Sequence, residues 1–176
     1  MPGTVPTNPA IYHITHLANL PGILRDGCLW SDSERIRRSV ASTNIGHKHI
    51  KQRRLKRAVS IAAGGALGDY VPFNFCSRSV MGHADLGYAI YFDSLAHLAQ
   101  VNWTVMPLTF WAGSDDTREK RQAEFLVHES FPWSAVEQIG VRDATVAARV
   151  QALLGRDHPP VQVHPGWYYW SGRCSN

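Results

Sequence analysis

Apolar and polar positions alternate along this chain in short stretches, and each stretch predicts one small element. Ala10-Ile-Tyr-His-Ile-Thr15 alternates with period two and is rich in aromatic and β-branched residues, which predicts a strand. Asn19 to Gly27 offers an N-cap, an early Pro21 and a closing Gly27, the signature of a short helix. Ile45, Ile50, Leu55 and Val59 form one apolar stripe, predicting a helix over 45–59 with a basic opposite face. Ala62 to Asp69 is a loop whose glycines are too loosely arranged for a P-loop or a dinucleotide-binding glycine motif. A buried strand follows over Tyr70 to Cys76, then a helix over Ser94 to Val101. The polar run Asp116 to Glu124 leads into a strand, Phe125 to Val127, entered by Glu124. Val136 to Val141 reads as a strand, Asp143 caps a helix through Leu154 that Gly155 closes, and Val161 to Trp170 is a final strand with an aromatic end. Strands interleaved with short helices predict an α+β domain around a mainly antiparallel sheet rather than a doubly wound one.

Composition narrows this. The 176 residues suffice for a single domain over 1–176 with one sizeable core. No apolar run is long enough to span a bilayer, and the first residues lack the basic and apolar regions of a secretory signal. Cys28, Cys76 and Cys174 are odd in number and widely spaced, so no disulfide framework is expected, and a reducing, cytoplasmic setting is.

Charge changes the picture more. Arg35 to Arg57 holds nine of the 18 lysines and arginines and no acidic residue. Its dense part, His47 to Arg57, packs six cations and two histidines into eleven positions, which suits a polyphosphate: a nucleic-acid backbone or a dinucleotide. A solvated basic helix would look the same.

Three features could carry chemistry: Tyr12-His-Ile-Thr-His16, the basic segment ending at Arg53-Arg54, and Gln122-Ala-Glu124 opening a strand. Taken singly, each has an ordinary structural reading. A strand histidine is usually a hydrogen-bonded framework residue, and a lone glutamate usually faces solvent. His13 and His16 point to opposite faces of a strand, so they do not make a metal pair. Trp133, Trp167, Tyr168 and Tyr169 read as core and edge packing.

In combination and order, these pieces resemble the DarT family, bacterial NAD-dependent toxins that ADP-ribosylate single-stranded DNA. The matching stretches are Ile11-Tyr-His-Ile-Thr-His16, Asn19-Leu20, Gly22-Ile-Leu-Arg25, His49-Ile-Lys-Gln-Arg-Arg54, Gly64-Gly65 and Asp69-Tyr-Val-Pro-Phe73. Further on come Phe75-Cys-Ser-Arg-Ser79 with Met81, Gln122-Ala-Glu-Phe-Leu-Val127, Phe131-Pro-Trp133 and Trp167-Tyr-Tyr169. The resemblance implies an α+β ADP-ribosyltransferase-like fold, a mainly antiparallel split sheet with short flanking helices. It implies NAD as co-substrate, no metal, Glu124 and Arg54 as catalytic residues, and His13, Thr15, Asn19, Leu20 and Arg54 against the cofactor. Lys48, Lys51, Arg53, Arg78 and Met81 would hold a single-stranded DNA whose thymine or guanine is modified. A cognate antitoxin, a DarG-like macrodomain protein, would be the partner, with no membrane involved.

The residue types suit the reaction. Breaking the nicotinamide glycosidic bond builds positive charge at the ribose C1′, which a carboxylate stabilises, and Glu124 could also take a proton from the target base. An arginine offers a fork for phosphate or for a base becoming an anion. The chain departs from the family between Met81 and Glu124, where it looks shortened into Gly82 to Trp111, and at Asn74, where an aromatic residue is often found. Two alternatives follow from the residues: the same transfer on RNA, and a non-catalytic nucleic-acid-binding module. A metal-dependent nuclease built from the histidines and Asp115-Asp116 would need a ligand spacing that the chain does not show.

Overall fold

The computed structural model describes residues 3–61, 63–78, 89–108, 114–156 and 158–169. Its helices and strands run in the order α1 (Leu20–Asp26), β1 (Cys28–Trp30), α2 (Asp32–Arg37), α3 (Lys48–Arg54), β2 (Tyr70–Asn74), α4 (Asp115–Lys120), β3 (Glu124–His128), β4 (Ser130–Pro132), β5 (Ile139–Val141), α5 (Ala144–Gln151) and β6 (Val161–Val163). Among the described residues the strands form three two-stranded sheets. β1 and β4 pair antiparallel, as do β2 and β3, whereas β5 and β6 are parallel. The fold is therefore mixed helix and strand with small, largely antiparallel sheets.

The β2–β3 ladder is the longest, with Val71 opposite Val127, Phe73 opposite Phe125 and Asn74 opposite Glu124. Val71 and Phe73 point into a core with Leu29, and Phe131 packs against it at 4.7 Å between rings. Beyond the ladder, Phe75, Cys76, Trp103 and Met106 make a second core. Leu20, Val141, Ala147 and Val150 make a third, between α1 and the β5–α5–β6 unit.

The predicted strand over 10–15 is reduced to one bridge. Tyr12 N–H donates to the Asn74 carbonyl at 2.8 Å and Asn74 N–H returns a bond to Tyr12 O at 2.9 Å. The helix predicted over 45–59 spans Lys48–Arg54. Before it, Asn44 Oδ1 accepts the Gly46 N–H at 3.0 Å, a local turn that competes with helix. After it, Val59 N–H turns to Gly65 O and Leu67 N–H to Arg57 O, and both Gly64 and Gly65 sit at positive φ. The helix expected over 94–101 is a 3-10 helix, Leu95–Gln100, started by the Ser94 hydroxyl.

The polar run before Glu124 folds as α4, which Ser114 caps. The strand expected over 136–141 narrows to β5, and the helix over 143–154 to α5, capped as expected by Asp143 Oδ1 on Val146 N–H at 2.9 Å. The final strand stops at Val163 and a 3-10 turn, Pro165–Trp167, follows; Trp170 lies outside the described residues. There Trp167 stacks on His164 with centroids 4.1 Å apart and lies so close to Gly140 that any Cβ there would collide with its ring.

β1, α2 and β4 were not foreseen. α2 begins at Ser31, whose hydroxyl accepts the Glu34 N–H, and it ends through Ser39 at φ +54°.

Candidate active site

Residues distant in sequence converge on one cleft. One wall comes from 13–30 and the other from 32–54, while Pro72, Asn74 and Glu124 close the end where β2 meets β3. The register that sets Glu124 opposite Asn74, and the bridge that sets Tyr12 beside Asn74, bring the stretch His13 to Thr15 next to the start of β3.

His13 is held by its Nδ1, 2.9 Å from the Pro72 carbonyl. A carbonyl only accepts, so Nδ1 carries the proton and Nε2 keeps its lone pair. Burial pushes the ring's pKa below the ordinary histidine value, more than the facing Asp32 and Glu124 carboxylates restore, which favours the neutral form. Arg54, at the end of α3, donates from Nη1 to Glu124 Oε2 at 2.8 Å, with both side chains partly open to solvent. Its other amino group, Nη2, is buried with no hydrogen-bond partner among the described residues. A charged donor left over in a cleft is what an anionic or carbonyl-bearing ligand would satisfy.

Asp32, the first residue of α2, ties α2 to α3 within the second wall. Its Oδ1 accepts from Arg35 Nη1 at 3.2 Å and from Lys51 Nζ at 3.0 Å. Lys51 therefore stands inside the cleft with Arg35, not on the outer basic face with Lys48 and Arg53, which are exposed. Thr15 and Asn19 line the cleft, whereas Leu20 turns away into the core with Val141 and Val150. Leu20 was expected on the cofactor, and the helix explains its departure: successive residues of α1 point about 100° apart, so its neighbour Asn19 can face the cleft while Leu20 faces the core.

Arg78 lies past the end of β2. Its carbonyl accepts from the fully buried Arg121 at 3.0 Å, and its guanidinium lies 6.0 Å from the Tyr169 ring. Arg121 also donates to Met106 O at 2.6 Å, so this cation ties three chain segments together three residues before Glu124. Met81 lies outside the described residues. Asp32, Arg35 and most of the segment 40–47 are cleft residues that sequence reasoning missed; the excess of cations drew attention away from Asp32 just before it. No group of histidine, cysteine or acidic residues able to hold a metal occurs among the described residues, and no described helix is long and apolar enough to cross a membrane.

A cleft with a cation-lined wall, a buried histidine and an arginine–glutamate pair at its end suits an anionic ligand of dinucleotide type. Comparison with known proteins gives the family. The family model described as DarT, ssDNA thymidine ADP-ribosyltransferase, matches residues 12–82 and 81–169, and the chain belongs to this family. A DNA ADP-ribosyl transferase of Thermus aquaticus is 36% identical over 213 residues, covering 97% of this chain and 93% of the relative. The solved structure of Thermus sp. 2.9 DarT in complex with ADP-ribosylated ssDNA superposes with a TM-score of 0.86 at 32% identity, covering 96% of this chain and 100% of that one. The same protein in complex with NAD+ gives a TM-score of 0.77 at 29% identity, over 94% and 100% of the two chains. A DNA ADP-ribosyl transferase–DNA ADP-ribosyl glycohydrolase fusion protein of Thermosipho africanus is 23% identical, with 93% of this chain matching 50% of its length.

The chain is thus an NAD-dependent ADP-ribosyltransferase acting on single-stranded DNA. The family match breaks into two pieces that meet at Met81-Gly82, and the alignment to the Thermus relative is longer than this chain of 176 residues. The break in the family match falls at the start of the stretch that looked compressed in the sequence.

Proposed function

We propose that Glu124, Arg54 and His13 perform the transfer to thymine in single-stranded DNA, and the observation that carries this is the Arg54–Glu124 pair closing the cleft beside His13. NAD is the substrate. His13 Nε2, unprotonated, accepts a hydroxyl of the nicotinamide ribose, and Arg35, Lys51 and the free Nη2 of Arg54 face the diphosphate. Thr15 and Asn19 shape the same wall. As the nicotinamide bond breaks, the electron pair leaves with nicotinamide and positive charge develops at C1′. The Glu124 carboxylate, aimed at that position, stabilises the charge. A base nitrogen then bonds to C1′ and loses its proton, which Glu124 accepts, while Arg54 steadies the base as it becomes anionic. The net change is ADP-ribosylated base, nicotinamide and one proton.

Lys48 and Arg53, exposed on α3, and Arg78 beyond β2 support the DNA strand. Lys51 moves from that set to the cofactor. The three small sheets are read as the split sheet of an ADP-ribosyltransferase, in one domain over 1–176. The fusion relative motivates the partner: a macrodomain glycohydrolase of the DarG type that removes the modification, so that the chain acts as the toxin of a cytoplasmic toxin–antitoxin pair.

The test is incubation with NAD and mixed single-stranded oligonucleotides, with and without 2′-hydroxyls, followed by mass spectrometry. One added ADP-ribose on thymine-containing DNA, lost in Glu124→Gln, is the expected result. An equal gain with Glu124→Gln would overturn the assignment of the carboxylate, and a gain on RNA alone would overturn DNA as the target.

A further inference from the structure

The segment 41–46 crosses one side of the cleft between α2 and α3, carries no regular structure and is mostly exposed. Among the described residues, its hydrogen bonds to the rest of the molecule all pass through one side chain. Asn19 Oδ1 accepts the Thr43 N–H at 2.7 Å, and Asn19 Nδ2 donates to the Thr43 carbonyl at 2.9 Å. The amide thus pairs with one residue of the segment as a neighbouring strand would. The same Nδ2 donates to Thr15 Oγ1 at 3.1 Å, fastening the arrangement to the His13–Thr15 stretch.

Two features set this apart from ordinary packing. Asn19 holds the N-cap position of α1, where an asparagine side chain usually accepts a bond from the first helical turn, yet it makes no such bond. Both of its amide hydrogens are also spent, on Thr43 and Thr15, so the cofactor could use only the remaining lone pair of Oδ1. Neither capping nor direct cofactor binding is what this side chain is arranged to do.

We propose that Asn19 is a positioning residue: it latches the strap 41–46 across the cleft, and the latched strap retains bound NAD. The proposal rests on the reading of the cleft as the NAD site. The strap ends two residues before Lys48, the first residue of α3. Because the latch bonds are solvent-exposed, they contribute little to global stability, and their effect is local.

Hydrogen exchange tests the latch in the absence of NAD, where a direct cofactor contact has no effect. In Asn19→Ala the Thr43 amide should exchange about tenfold faster, while the melting temperature stays that of the wild type, since two ordinary hydrogen bonds are lost at the surface. In steady state the KM for NAD should rise about tenfold with kcat nearly unchanged, because the strap holds the substrate equally before and in the transition state. Asn19→Asp, which can still accept the Thr43 N–H but not donate to its carbonyl, should fall between. Unchanged exchange at Thr43 overturns the latch; a raised KM in that case assigns Asn19 to direct contact with NAD. Faster exchange with an unchanged KM overturns the retention of NAD by the strap. If NAD protects no amide of the cleft in the wild-type protein, the reading of the cleft fails, while the latch measured without NAD is judged separately.

Discussion

Residues 13–54 and residues 139–163 are held together by different forces. Across the cleft the fasteners are polar and few: Asn19 on Thr43 and, at its end, Arg54 on Glu124. In the β5–α5–β6 unit they are apolar and many, with Val141, Ala147 and Val150 packed on Leu20 and flanked by Leu17, Leu24 and Trp133. Directional bonds at a solvent boundary can open and reform without disturbing the fold, whereas apolar burial is cumulative and costly to undo. The contacts across the cleft can thereby open without undoing the apolar core behind it. The boundary falls between two adjacent residues: Asn19 reaches across the cleft and Leu20 is buried in the core.

Four substitutions or conditions would break or sharpen that contrast. Glu124→Gln should lower transfer by about 10²–10³-fold, the scale of losing one electrostatic stabiliser, with an unchanged melting temperature. A large drop in melting temperature would instead give the Arg54 pair a structural role. Leu20→Ala should do the reverse, costing about 2–5 kcal/mol in denaturant unfolding while the KM for NAD of the folded fraction stays the same. A raised KM there would mean that the core and the cleft are not separable.

His13 links the two regions to pH. Its pKa is lower in the folded protein than in the unfolded chain, so the folded state binds fewer protons. Its contribution is complete above the unfolded value of about 6.5 and is lost as the pH falls below it. The melting temperature should therefore decline on acidification from neutral pH, and His13→Asn should flatten part of that decline; parallel curves would remove His13 as the source. The smallest effect belongs to Ser39, which ends α2 at φ +54° without being glycine. Ser39→Gly should gain about 0.5–1 kcal/mol by relieving that conformation, read from chemical denaturation.

Much of this site was legible before any fold was known, because its chemistry depends on residue type. Glu124 at a strand entrance, Arg54 at the end of a basic helix and His13 in an alternating stretch all stand where the pattern put them. Their meeting was less legible, since it depends on one bridge, Tyr12 to Asn74, and on the β2–β3 register. Lys51 shows the limit of reading charge alone. It counted as one of six cations in a run, and only the tertiary approach of α3 to Asp32 turned it inward.

Read by itself, the sequence determined the reaction class, through its family resemblance, and the order of most elements, because local periodicity is written residue by residue. The tertiary structure decided the rest: that 10–15 makes a bridge rather than a strand, that Leu20 leaves the cleft, and that Asn19 closes it. Those outcomes all depend on partners 24 or more residues away, and a periodicity read within one short window carries no information about such partners.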